Sequence, residues 1–113
     1  MNSRTAAIFE KMLDYCSQIK EARARFGNSL EDFLADTHYR NSCCMCLLQI
    51  GELAGKLSDE ERATYAHLPW RNMRGLRNIC AHAYGSIDYS LIWETISQDI
   101  PALEAEMKRI MEA

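Results

Sequence analysis

Proline is scarce in this sequence: only Pro69 and Pro101 occur in 113 residues, so little interrupts helical hydrogen bonding. No run alternates apolar and polar side chains, which removes the signal of a half-buried strand. No apolar stretch approaches the roughly 20 residues that a bilayer-spanning helix needs. Basic residues are not in excess either, and the formal net charge is −3. Dedicated nucleic-acid binders are usually basic, because neutralising phosphates supplies most of their affinity, so any RNA contact has to come from a local patch. Cys43 and Cys46 form a Cys-x-x-Cys pair, but no second pair and no suitably spaced histidines accompany it. A structural zinc site would lack half its ligands. These two cysteines read as small buried hydrophobes, and neither a metal nor a cofactor is expected. The amino-terminal segment carries no apolar run of the signal-peptide kind, and the cysteine count is odd: Cys16, Cys43, Cys44, Cys46 and Cys80. Reduced thiols in a cytoplasmic protein are the expectation.

What is present is helical periodicity in a chain of single-domain size, residues 1–113. With 48% apolar and 26% charged residues, the chain has the composition of a folded globule. Ile8, Met12, Tyr15, Cys16, Ile19 and Phe26 lie on one stripe, which predicts a first helix from about Asn2 to Phe26, broken by Gly27-Asn28. Ser29 is placed to cap a short second helix holding Leu30, Phe33 and Leu34. Cys43, Cys46, Leu47, Ile50, Leu53, Ala54 and Leu57 predict a third helix over Thr37 to Leu57. Ser58 and Glu61 spell a capping box for a short turn up to Ala66. Pro69 suits the entry to a helix from Trp70 to about Ala83, with Gly85 to end it. A last helical stretch covers Asp88 to Met111, which Pro101 should kink or divide. The fold class is all-α, a compact bundle of four to five helices.

The segment from Arg71 to Tyr84 carries the chemistry. Arg74, Asn78 and His82 are spaced four apart and share a helix face, with Arg71 close to it. Arg77 and His82 are five apart, which on an ideal helix separates them by about 140°. Three arrangements would bring them together: a loosened helix near Gly85, a curled Arg77 side chain, or a cleft shared by two subunits. The last is favoured, because a two-fold dimer doubles the local positive charge. Histidine titrates near neutrality and can take a proton from a ribose 2′-hydroxyl or give one to a leaving 5′-oxygen. Arginine forks onto phosphate oxygens and stabilises charge at phosphorus. Asn78 would hold His82 or touch the sugar. The residue types alone leave two readings open: metal-independent RNA cleavage, or a solvated basic face with one satisfied histidine. His38 and His67 read as surface or capping residues, and Trp70, Trp93 and Tyr89 as packing side chains.

At these residues the chain resembles the HepT-like proteins, a branch of the HEPN superfamily. Arg77-Asn78-Ile79-Cys80-Ala81-His82-Ala83-Tyr84 fits the Arg-x4-His-x-Tyr signature, with Ala83 where many relatives have glycine. Leu47 to Ala54 looks like the family's Ile-Gly-Glu-Ala helix, Leu68 to Arg71 like its Pro-Trp entry, and Ile92 to Ile96 followed by Asp99-Ile100-Pro101 like its last helices. The resemblance implies a homodimer with the motif in a cleft at the interface. It implies RNA as substrate, with no DNA and no membrane, and Arg77 and His82 as the catalytic pair of a ribonuclease toxin. It further implies an MntA-like minimal nucleotidyltransferase as antitoxin, which attaches AMP to Tyr84. The partner, not this chain, would bind ATP and metal. The alternative is a non-catalytic HEPN module that grips a nucleotidyltransferase or a nucleotide.

Overall fold

The computed structural model describes residues 1–82 and 85–113, and among them every regular element is a helix, with no strand. Helix α1 (Ser3–Phe26) starts at Asn2, whose side chain accepts from the Thr5 amide at 2.8 Å. That bond satisfies one of the amide donors a helix start leaves without an intrahelical partner. Its buried face holds Ile8, Met12, Cys16 and Ile19 of the expected stripe, joined by Phe9, while Tyr15 is partly buried and Phe26 is exposed. Helix α2 (Leu30–Ala35) is capped by Ser29, as its position implied. Helix α3 (Thr37–Gly55) buries Cys43, Cys46, Leu47, Ile50, Leu53 and Ala54. It ends two residues before the expected boundary. Helix α4 (Asp59–Thr64) carries both halves of the Ser58–Glu61 capping box. Helix α5 (Trp70–His82) follows, then α6 (Tyr89–Glu94), a π-helical turn (Thr95–Asp99) and α7 (Ile100–Glu112).

Four long rods thus make the bundle: α1, α3, α5 and the divided α6–α7. Helix α3 is central and packs against both α1 and α5, while α7 lies on α1. The core is continuous from Phe9 and Met12 through Leu47 and Ile50 to Ile92, Ile96 and Met107, all essentially buried. At one end Phe33, Tyr39 and Trp93 pack ring against ring, with Phe33 edge-on to Tyr39 at 4.9 Å between centroids. Trp70 and Trp93 are core anchors, as expected. Trp70 is half-buried, and its indole N–H donates to the Arg62 and Tyr65 carbonyls. Tyr89 packs on Phe33.

The division of the last helix falls just before Pro101 rather than at it. Proline has no N–H and its ring crowds the carbonyl four residues back, so it is tolerated only in a helix's first turn. The chain meets this by widening one turn. The Ile100 amide reaches back five residues to the Thr95 carbonyl, and α7 restarts with Pro101 in its first turn. The Thr95 and Ser97 hydroxyls donate to the Leu91 and Trp93 carbonyls, which supports the wide turn.

The connection from α3 to α5 is tied down by Arg62. Its guanidinium donates to the Ala54 carbonyl at 3.1 Å and the Leu57 carbonyl at 2.6 Å, tying the end of α3 to the turn that follows it. It also pairs with Asp59 at 2.6 Å. This connection fixes where α5 begins, and therefore the height at which its polar side chains meet α3.

Candidate active site

Helices α3 and α5 run antiparallel. Gly51 faces Met73 and Arg77, while Gly55, further along α3, shares a cleft with Arg74, earlier on α5. The approach is close because Gly51 has no side chain. A Cβ there would lie 2.3 Å from the Arg77 Cβ and 2.7 Å from the Met73 carbonyl oxygen, distances that packed atoms do not adopt. The Arg77 stem therefore lies directly on the backbone of α3, and its guanidinium emerges beside the next residue, Glu52.

There Arg77 Nε donates to Glu52 Oε1. Arg77 Nη1 donates to Asn78 Oδ1 at 3.1 Å and lies 3.3 Å from His82 Nε2. A guanidinium can only donate, so the contact is a hydrogen bond in the tautomer that leaves Nε2 as the acceptor. The two motif residues meet within one chain. Of the three arrangements open to the sequence, the curled arginine side chain is the one adopted, and no second subunit is needed for this contact. The α-helix persists through His82. Gly85 then turns the chain with φ +88°, a conformation that suits glycine.

Arg77, Asn78 and Arg74 line an open polar cleft of about 370 Å³ with Gly51, Glu52 and Lys56. His82 is exposed at its edge of the helix, and Arg71 is exposed in the first turn of α5, outside this cleft. Tyr84, the expected AMP acceptor, lies outside the described residues. Two charged cleft residues, Glu52 and Lys56, were missed by sequence reasoning, as were the glycines Gly51 and Gly55. The signal for the first was in view: Gly51-Glu52 sits inside the block that resembled the family, but only the helix crossing reveals what the glutamate touches. A second cleft, of about 320 Å³, lies between α5 and α7, lined by Leu68, Met73, Leu76, Ile100 and Leu103 among others. It holds none of the motif's polar side chains.

Cys43 and Cys46 are buried on α3, as small hydrophobes would be, and burial pushes their thiols up to about 12 and about 11. His67 is a surface residue paired with Glu106 at 2.8 Å, and His38 is exposed in the first turn of α3. Among the described residues no group of three or more histidine, cysteine or acidic side chains is placed to hold a metal, and no helix is long and apolar enough to cross a membrane.

The family described as ribonuclease HepT-like matches residues 12–110. A candidate RNase of Caldanaerobacter subterraneus subsp. tengcongensis is 36% identical over 86 residues, covering 76% of this chain and 77% of the relative. A candidate RNase of Methanocaldococcus jannaschii is 31% identical over 72% of this chain and 70% of its own length. A candidate ribonuclease HepT of Thermococcus cleftensis is 30% identical over 71% of this chain and 73% of its own length. No solved structure matches the chain.

Proposed function

This chain belongs to the HepT-like ribonuclease family, and from that premise we propose that it is an endoribonuclease toxin acting through Arg77 and His82. The observation that carries the reading is their apposition, 3.3 Å between Nη1 and Nε2 at the edge of an open polar cleft. His82 Nε2 serves as the base or the acid. It takes the proton of the ribose 2′-hydroxyl, or returns one to the departing 5′-oxygen. The 2′-oxygen forms its bond to phosphorus as the bond to the 5′-oxygen breaks. Arg77 stabilises the charge that builds on the phosphoryl oxygens. Asn78 holds the guanidinium, and Arg74 and Arg71 guide the flanking phosphates. These roles need no metal.

Regulation follows from Tyr84, two residues beyond His82. A minimal nucleotidyltransferase antitoxin would supply ATP and Mg²⁺. The tyrosine oxygen attacks the α-phosphorus and pyrophosphate leaves. The added AMP carries a negative charge and a base into the arginine-lined cleft and excludes RNA. A homodimer would set two such clefts side by side.

A second reading draws on the Arg77–Glu52 ion pair. An arginine already neutralised by a carboxylate suits a non-catalytic module that grips a nucleotidyltransferase or a nucleotide. A cleavage assay on total cellular RNA in EDTA, with His82→Ala alongside and intact mass recorded, separates the two. Cutting by the wild type alone is expected. Equal cutting by both proteins would remove the catalytic assignment. Cutting by neither, in protein free of AMP, would favour the binding module.

A further inference from the structure

The ribonuclease reading leaves two cysteines of the α3–α5 seam without a role. Cys44 on α3 and Cys80 on α5 stand side by side across the seam, lining the same cleft. Both line one small cleft of about 110 Å³, open beside Asn41, Met45, Ile87 and Tyr89. Cys44 is partly exposed, whereas Cys80 is 4% exposed beneath it. The five thiols are not equivalent. The neighbouring Cys80 thiol holds Cys44 below the usual thiol range, with Arg40 assisting and burial opposing. Cys80 itself is pushed far up by Cys44 and by burial. Burial likewise pushes Cys16 and Cys43 up to about 12 and Cys46 to about 11. A nucleophilic thiol with an opening to solvent and a resolving thiol beside it in the same cleft are the parts of a redox-active pair.

We propose that Cys44 and Cys80 are an oxidative modification site whose reactant is a small hydroperoxide and whose product is a disulfide joining α3 to the motif helix. The Cys44 thiolate attacks one peroxide oxygen. An S–O bond forms, the O–O bond breaks, and hydroxide leaves to become water. Cys80 then attacks the Cys44 sulfenic sulfur. The S–S bond forms, and the expelled hydroxide takes the Cys80 proton as a second water. Two thiols are oxidised and one peroxide is reduced. The bond would lie three residues after Arg77 and two before His82, on the helix whose Arg77 stem crosses α3. It would pin that helix between the two motif residues.

The test uses the whole reduced protein, treated with equimolar hydrogen peroxide, alkylated and mapped by mass spectrometry without reduction. A linked Cys44–Cys80 peptide is expected, with an intact mass lower by two hydrogens and full reversal by dithiothreitol. In Cys80→Ser the disulfide should vanish and dimedone should label Cys44. In Cys44→Ser both products should be lost, with helicity by circular dichroism unchanged. A disulfide between other cysteines, or dimedone labelling Cys16 or Cys43 as fast as Cys44 in the Cys80→Ser protein, would overturn the assignment. The readout is mass, not RNA cleavage, so this inference and the ribonuclease reading fail separately.

Discussion

Arg77 is the side chain on which the other cleft groups converge. Its stem is packed on Gly51, its Nε is held by Glu52, and its Nη1 lies between Asn78 and His82. Glu52 thereby acts as a positioning residue. Hydrogen bonds to charged groups contribute about 1.5–3 kcal/mol, and solvent screens this pair, whose side chains are 34% and 42% exposed. The lower end of that range applies. Glu52→Gln should reduce kcat by roughly tenfold, the rate equivalent of about 1.4 kcal/mol, with KM little changed. A loss confined to KM would place Glu52 in substrate binding instead. His82→Ala should cost more, on the order of 10²–10⁴ in kcat. The Arg77–His82 contact was not legible from spacing, because an angle of about 140° around a helix separates backbones and not the ends of a long side chain. Glu52 was illegible for a different reason: its partner is 25 residues away, and only the crossing of two helices selects it.

At the scale of elements, the seam between α3 and α5 sets the site. Gly51→Ala would drive a methyl into the Arg77 stem and the Met73 carbonyl. Overpacking of this kind costs typically about 1–3 kcal/mol, and the displaced arginine should lower cleavage further than the stability loss explains. Denaturant unfolding and kcat measured together would show both. Helix α4 gives a pH signature. The Thr5 hydroxyl, the Ser58 amide and Arg4 hold the Glu61 carboxyl at about 2, against an ordinary 4.5. Between those values the unfolded chain binds more protons than the native one, so the bond's stabilisation is complete above an ordinary carboxyl's 4.5 and is lost as pH falls towards about 2. The thermal midpoint of the wild type should fall through that window. That of Glu61→Gln should be lower at neutral pH and flatter at acid pH, and an equally steep wild-type and variant profile would count against the assignment. The elements themselves were largely legible, because Asn2, Ser29, Ser58–Glu61 and Gly85 act within a few residues of where they stand. The π-helical turn was less so. Pro101 announces a disruption, but the position at which the helix widens depends on which carbonyls Thr95 and Ser97 can reach.

For the whole molecule, a net charge of −3 confines RNA affinity to the arginine-bearing face. Binding should weaken steeply with salt, and Arg74→Ala should flatten the log–log slope by about 0.7, the value for one phosphate contact in single-stranded nucleic acid. An unchanged slope would place Arg74 away from the RNA path. Dimerisation, which the sequence favoured as the means of joining Arg77 to His82, is not required for that contact. Sedimentation of the purified protein is the direct check on it, and the expected species is a dimer.

Arg77, Asn78 and His82 are carried on a helix packed against the central helix of the bundle, not on a loop. Loops open locally at little cost, whereas packed helices exchange their amide hydrogens mostly when large cooperative units open. The amides from Met73 to Cys80 should therefore exchange with deuterium at nearly the rate of those in the middle of α3, and denaturant should accelerate both alike. The cleft would then have no half-assembled form: its lifetime is that of the folded chain.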